Sequence, residues 1–235
     1  MQYFYSSNII NDLAILNEEE SKHCIKVLRH KLNDKIHLID GLGGLFLCKI
    51  LDDNFNQCKL QIIKNEDVVQ RNFKLHIAIS PIKNVDRFEW FIEKATEIGI
   101  DEITPIVCNK TEKLKIKKER IQRILLSATK QSLNATIPKF NEMINFKDFI
   151  NIHKNNQNFE KFIAYCGTEI TNNLKSLYSK NSNTVIIIGP EGDFTDNEVA
   201  YSFENGFNAV SLGINRLRTE TAGVIACSTI NILNI

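Results

Sequence analysis

Ile187-Ile188-Gly189-Pro190-Glu191-Gly192 ends the apolar run 185–188, and the fold of this 235-residue chain turns on how that stretch is read. A short apolar run bounded by glycine and proline reads as a strand buried on both faces. In open α/β sheets, ligands collect outside the carboxyl ends of such strands. Pro190 stiffens the turn, and Gly192 admits a positive φ or a close backbone approach. Neither the dinucleotide fingerprint Gly-x-Gly-x-x-Gly nor a Walker A motif occurs, so hydride-transfer and NTPase readings lack their motif. Taken alone, the stretch is equally a plain tight turn. A second segment, Leu212-Gly213-Ile214-Asn215-Arg216-Leu217-Arg218-Thr219-Glu220-Thr221-Ala222, shifts the weighing. It too sets glycine after an apolar run and leads into a helix. Thr219 or Thr221 is placed to cap that helix, and Arg218 and Glu220 flank Thr219; an ion pair plus a cap is the bland alternative. Two such turns, one strand–helix unit apart, line one pocket with backbone amides and carbonyls, which suits a nucleotide-like ligand.

Working outward, the chain from residue 73 alternates strands and helices. Strands are expected at 74–80, 103–107, 159–165, 185–188 and 209–212. Helices are expected at Val85–Ile98, 117–133, 170–178 and Thr219–Leu233, with another capped by Thr195 and closed by Glu198 in a capping box. Gly99 stops the first helix. This alternation predicts an α/β fold with a parallel sheet covered on both faces. The first 70 residues read as a small β-barrel, with strands at Lys35–Ile39, 45–51 and 58–64 separated by turn residues. One helix interrupts them at 18–30, with Asn17 as its cap, Glu20 completing a capping box, and Ile25 and Leu28 on one face beside Val27. Residues 65–72 are polar and read as a linker.

Apolar residues make up 43% of the chain and charged residues 24%, an ordinary globular balance. No apolar run approaches the ~20 residues that span a bilayer. The N-terminus lacks a basic region followed by an apolar one, so no secretory signal is expected. Cysteines at 24, 48, 58, 108, 166 and 227 form no Cys-x-x-Cys pair and no zinc spacing with histidine, and read as reduced thiols of a cytoplasmic protein. The net charge is +1, but it is unevenly spread. Eight basic residues face two acidic ones between Lys110 and Lys130, five face one between Lys22 and Lys35, and two face six beyond Asn181. Basic stretches of this kind grip a phosphate backbone or simply solvate a helix face.

The two glycine segments, with His23-Cys24-Ile25-Lys26-Val27-Leu28-Arg29, Asp40-Gly41, Lys94-Ala95-Thr96-Glu97-Ile98-Gly99-Ile100, Ile103-Thr104-Pro105, Gln131-Ser132 and Pro138, resemble the ribosomal RNA small subunit methyltransferase E family of the SPOUT superfamily. The resemblance covers nearly the whole chain. It implies a PUA-like RNA-binding barrel over residues 1–70. A SPOUT methyltransferase domain then covers 73–235, its parallel sheet closed by a C-terminal trefoil knot that periodicity cannot reveal. It implies S-adenosyl-L-methionine as cofactor, held by Ile188, Gly189, Glu191, Gly192, Leu212, Gly213, Ile214, Leu217 and Thr221. The implied reaction is methylation of N3 of a uridine in 16S rRNA, by a homodimer acting on small-subunit rRNA or the assembled 30S subunit, without metal or membrane. In-line transfer demands alignment, and loss of the N3 proton calls for a base or an anion-stabilising cation. Arg218 is the expected cation, and Glu220 its orienting partner or the base. His23, Arg29, Lys110 and Lys113 are the expected RNA contacts, with helix packing as the alternative for the first two. Three positions depart from the family pattern. Asp193 stands where a second glycine is commonest. Lys110 replaces an arginine, leaving a point charge in place of a bidentate fork, and Asn134 replaces another and carries no charge. The rival readings are an RNA-binding protein without catalysis and a methyltransferase acting on another RNA position.

Overall fold

The computed structural model describes residues 2–112, 116–165, 167 and 172–235. Contacts divide the chain into two units: one contains the residues up to Gln70 with Leu126–Ile137, the other Arg71–Leu125 with Pro138–Ile235. Lys113, one of the expected RNA contacts, lies outside the described residues.

The first unit is a curled six-stranded sheet with strand order β1-β4-β5-β6-β3-β2. Its strands are β1 (Tyr3–Tyr5), β2 (Ile9–Ile10), β3 (Leu13–Ile15), β4 (Lys35–Ile39), β5 (Leu45–Asp52) and β6 (Lys59–Glu66). Inward residues such as Phe4, Leu38, Ile50 and Leu60 build its core. The β5–β6 register shifts twice, and bulges of this kind increase the local twist. The helix expected at 18–30 is shorter: α1 spans Glu18–Lys22 and passes into a π-helical turn, His23–Val27. Asn17 caps it by accepting from Glu20 N at 2.8 Å. The capping box does not close. The buried Glu20 carboxylate instead accepts from Tyr5 N at 3.0 Å and pairs with Lys130 Nζ at 2.5 Å. The π-turn rotates the apolar face, so Val27 and Leu28 end up exposed while Cys24 is buried. Arg29 follows in the left-handed region, with φ +59°.

The second unit contains β7 (Leu75–Ile79), α2 (Val85–Ile98), β8 (Glu102–Val107), α3 (Lys118–Gln131, whose last turns belong to the first unit), β9 (Lys139–Phe140) and β10 (Ile144–Asn145). It continues with α4 (Phe146–His153), β11 (Glu160–Ala164), α5 (Leu174–Leu177), β12 (Thr184–Ile188), α6 (Asp196–Glu204), β13 (Asn208–Val210) and α7 (Thr219–Leu233). The order β10-β8-β7-β12-β11-β13, with β9 on β8, is parallel throughout. The run 185–188 lies in β12, which is buried along its whole length between β7 and β11. Gly99 ends α2 at φ +110°, and Thr195 and Glu198 form the expected capping box of α6. Of the helix expected at 170–178, residues 170 and 171 lie outside the described residues; among the rest, Asn173 is extended and caps a shorter helix, α5, by accepting from Ser176 N at 2.9 Å. Helix α4 was not anticipated, although Phe146, Phe149 and Ile150 recur at helical spacing and are buried. From β13 at the sheet edge, residues 211–218 carry the chain back, so that α7 packs on α2, β7 and β12. That packing is close: a Cβ on Gly223 would lie 2.5 Å from Phe91 Cε2. No helix among the described residues is long and apolar enough to cross a membrane.

A buried polar cluster lies under β7. His76 Nε2 and Thr104 Oγ1 are 2.7 Å apart, and the His76 ring packs against those of Phe149 and His153. Burial lowers the His76 pKa to about 4, and it lowers His153 as well. In the unfolded chain these imidazoles protonate near pH 6.5. The unfolded state therefore binds more protons below that pH, and stability falls as pH drops from about 6.5 toward 4. His76→Phe is expected to flatten the slope of melting temperature against pH between 4 and 6.5; an unchanged slope would exclude His76 as its source.

Candidate active site

The loops after β12, β13 and β11 converge at the carboxyl edge of the parallel sheet and enclose two adjoining cavities. The smaller, about 330 Å³, is lined by Ile188, Gly189, Pro190, Glu191, Asp193, Leu217, Thr219 and three arginines, Arg87, Arg216 and Arg218. The larger, about 690 Å³, is lined by Tyr165, Asn173, Ser211, Leu212, Gly213, Ile214 and Asn215. Ala164, Asp193, Arg216, Leu217 and Ala222 border both. Of the expected cofactor residues, Ile188, Gly189 and Glu191 line the first cavity, Leu212, Gly213 and Ile214 the second, and Leu217 both. Gly192 and Thr221 line neither.

Local chemistry holds these loops in place. Thr219 Oγ1 donates to Gly189 O at 3.1 Å, tying the start of α7 to the end of β12. The hydroxyl is therefore not a cap: Arg218 occupies the N-cap position, without a side-chain cap bond. Ser211 Oγ donates to Gly213 O and accepts from Gly213 N, at 2.7 and 3.2 Å. Gly213 adopts φ +145°, and among the described residues a Cβ there would meet nothing within 4 Å beyond its chain neighbours. The space over it is open to a ligand, and the surrounding backbone and apolar side chains suit an adenosyl group. At Gly189 a Cβ would press on Phe194 at 2.9 Å. The left-handed residue of this turn is Asp193 (φ +60°), not Gly192. The Asp193 side chain accepts from Phe194 N at 2.8 Å, a local bond that helps asparagine and aspartate tolerate such a φ.

Lys110 also serves the loop. Its Nζ donates to Gly192 O at 2.8 Å and to Phe194 O at 3.4 Å, so its charge is turned onto backbone carbonyls. Beside it, Asn109 N donates to the buried Glu198 carboxylate at 2.8 Å, which also accepts from Thr195 N. In the first unit, His23 Nε2 lies 2.6 Å from Gln2 Nε2, and Arg29 is exposed.

Glu220 does not partner Arg218. Its carboxylate is buried, with Oε1 3.8 Å from Arg87 Nε on α2. Its Oε2 is buried without a hydrogen-bond partner among the described residues. Arg218 is exposed and faces the smaller cavity. Sequence reasoning missed Arg87; it stands in the first turn of α2 with no glycine or repeat to mark it. Arg216, which donates to Glu191 O at 3.4 Å, was in plain view within the second glycine segment but was not selected.

A parallel sheet, backbone-lined loops at its carboxyl edge, clustered arginines and a separate curled β-unit define an RNA methyltransferase of the SPOUT type. The family model for the RNA methyltransferase domain matches residues 69–231, and that for the RNA methyltransferase PUA domain matches residues 16–63. The ribosomal RNA small subunit methyltransferase E of Rickettsia conorii is 31% identical over 235 residues, covering 98% of this chain and 94% of that protein. The crystal structure of a probable rRNA-methyltransferase from Porphyromonas gingivalis superposes with a TM-score of 0.91 at 36% identity, covering 100% of this chain and 98% of that one. The ribosomal RNA small subunit methyltransferase E of Neisseria gonorrhoeae, solved bound to S-adenosyl methionine, gives 0.84 at 26% identity with the same coverage. This chain belongs to the ribosomal RNA small subunit methyltransferase E family.

Proposed function

We propose that this protein methylates N3 of a uridine in the 16S rRNA of the small ribosomal subunit, using S-adenosyl-L-methionine. The observation that carries the reading is the adjoining pair of cavities, one opening over Gly213 and the other lined by Arg87, Arg216 and Arg218. The first suits an adenosyl group, the second a base that becomes anionic. The cofactor supplies a sulfonium-bound methyl carbon: its C–S bond breaks, with the electron pair going to sulfur, as the bond to N3 forms and the N3 proton passes to solvent. Gly189 and Glu191 shape one wall, and Leu212, Gly213, Ile214 and Leu217 the other; Gly192 acts through its carbonyl, which holds Lys110 against the loop. Thr221 stands in the first turn of α7, two residues from Thr219, whose hydroxyl ties that helix to Gly189. Arg218 stabilises the developing charge on the uracil. The first unit acts as an RNA-binding module through His23 and Arg29, and the second as the catalytic domain. The return of residues 211–218 from the sheet edge to α7 supports the knotted ending that the family resemblance implies. Action as a cytoplasmic homodimer on rRNA or the 30S subunit belongs to the same reading. Mass spectrometry of rRNA from a strain lacking the gene is expected to find one 3-methyluridine missing from the small subunit and restored by the cloned gene. An unchanged modification pattern would sink the reading.

A further inference from the structure

Glu220 is an expensive residue as it stands. A buried carboxylate with one partner at 3.8 Å and one oxygen unbonded costs free energy that a well-packed apolar side chain would not. Its only ion-pair partner among the described residues is Arg87, whose side chain is 39% exposed and lines the same cavity as Arg218. The other charged side chains around that cavity are Arg216, Glu191 and Asp193. Arg216 is turned toward Glu191 O, which leaves Arg87 and Arg218 as the guanidiniums free of backbone bonds there. They stand on different helices, α2 and α7, joined by the close packing at Gly223.

Resting on the uridine reading, we infer that Arg87 is a second cation for the uracil ring, and that Glu220 is the residue that positions it, being neither the base nor a partner of Arg218. Deprotonation at N3 spreads negative charge over N3 and its two flanking carbonyl oxygens. One guanidinium answers one oxygen only, whereas cations presented from α2 and α7 answer an anion with two ends. Arg87 suits the task because its planar fork donates along fixed directions. A carboxylate behind it limits its rotamers, so less ordering remains when the base arrives. The N3 proton goes to solvent, and the pair lowers the cost of losing it.

The test compares wild type with Arg87→Gln, Arg87→Lys, Glu220→Gln and the double variant Arg87→Gln/Glu220→Gln. Their substrate is unmodified small ribosomal subunits, with cofactor affinity measured separately by calorimetry. Arg87→Gln is expected to lower kcat on the order of 10²-fold and to move the rising limb of its pH profile upward, with cofactor Kd unchanged. Arg87→Lys should fall between, because it keeps the charge but loses the fork. Glu220→Gln should move the limb in the same direction by less, and the double variant should be no worse than Arg87→Gln alone, as expected of residues acting as a unit. A loss of melting temperature or cofactor affinity with the pH limb unmoved, or additive effects, would make the pair merely structural and overturn the inference. If wild type binds cofactor yet leaves the subunits unmethylated, the functional reading fails along with it. If wild type and Arg87→Gln are equally active, the inference fails for both residues while the functional reading stands.

Discussion

Replacing Arg218 with alanine is expected to lower turnover on small-subunit rRNA on the order of 10²- to 10³-fold, the usual cost of removing one donor aimed at developing charge. Cofactor affinity should stay within about threefold, a difference well under 1 kcal/mol. The two effects separate because of where the residue stands. Arg218 is exposed, contributes no cap bond, and lines the cavity from the N-cap position of the fifteen-residue helix α7. A cation at the positive end of a helix dipole is unfavourable for the helix, by about 0.3–1 kcal/mol. The same placement adds the charge of the side chain to the potential of the free backbone N–H groups of the first turn, and that sum favours an anion. Arg218→Lys should recover part of the loss. Single-turnover kinetics at saturating cofactor measure the effect directly, with calorimetry as the binding readout. A parallel fall in both quantities would move Arg218 from the chemistry into the cofactor pocket.

Features written in neighbouring residues were legible in the sequence. The capping box of Thr195 and Glu198 formed because both partners lie within one turn, and Gly99 ended α2 because a left-handed residue was needed there. The parallel sheet followed from the alternation of strand and helix patterns. Features written across the chain were not legible. Glu20 carries the local signature of a capping box, yet Lys130 and Tyr5 capture its carboxylate. Glu220 sits two residues from Arg218, yet its carboxylate faces an arginine 133 positions earlier, because α7 lies on α2. Lys110 belongs to a basic run that reads as a phosphate grip, but it is bonded to carbonyls of the glycine loop. The glycine turns themselves were visible, though not which residue in the first of them takes a positive φ: it is Asp193, a residue type that visits that region only occasionally.

Gly213→Val is expected to weaken S-adenosylmethionine binding by about 100-fold or more, for two independent reasons. At φ +145° a β-branched residue is strained, and strain of this class costs roughly 1–3 kcal/mol, which the loop relieves by shifting its backbone. Any such shift breaks the paired bonds between Ser211 and Gly213 that fix the loop. If the loop instead holds its shape, the new side chain enters the larger cavity, since among the described residues nothing beyond the chain neighbours lies within 4 Å of the Cβ position. Either way the site no longer accepts the adenosyl group, and each 1.4 kcal/mol lost is a tenfold change in Kd. Gly213→Ala separates the two causes: it carries most of the backbone penalty but adds a single methyl group. Weakening by Ala comparable to that by Val would assign the effect to loop geometry, and a much smaller one to filling of the cavity. Gly223→Val is the contrasting control. Its Cβ would collide with Phe91 at the α2–α7 packing, so its loss appears in melting temperature, whereas Gly213→Val shows chiefly in calorimetry. Retention of wild-type cofactor affinity by Gly213→Val would place the pocket elsewhere and remove the larger cavity from the proposed site.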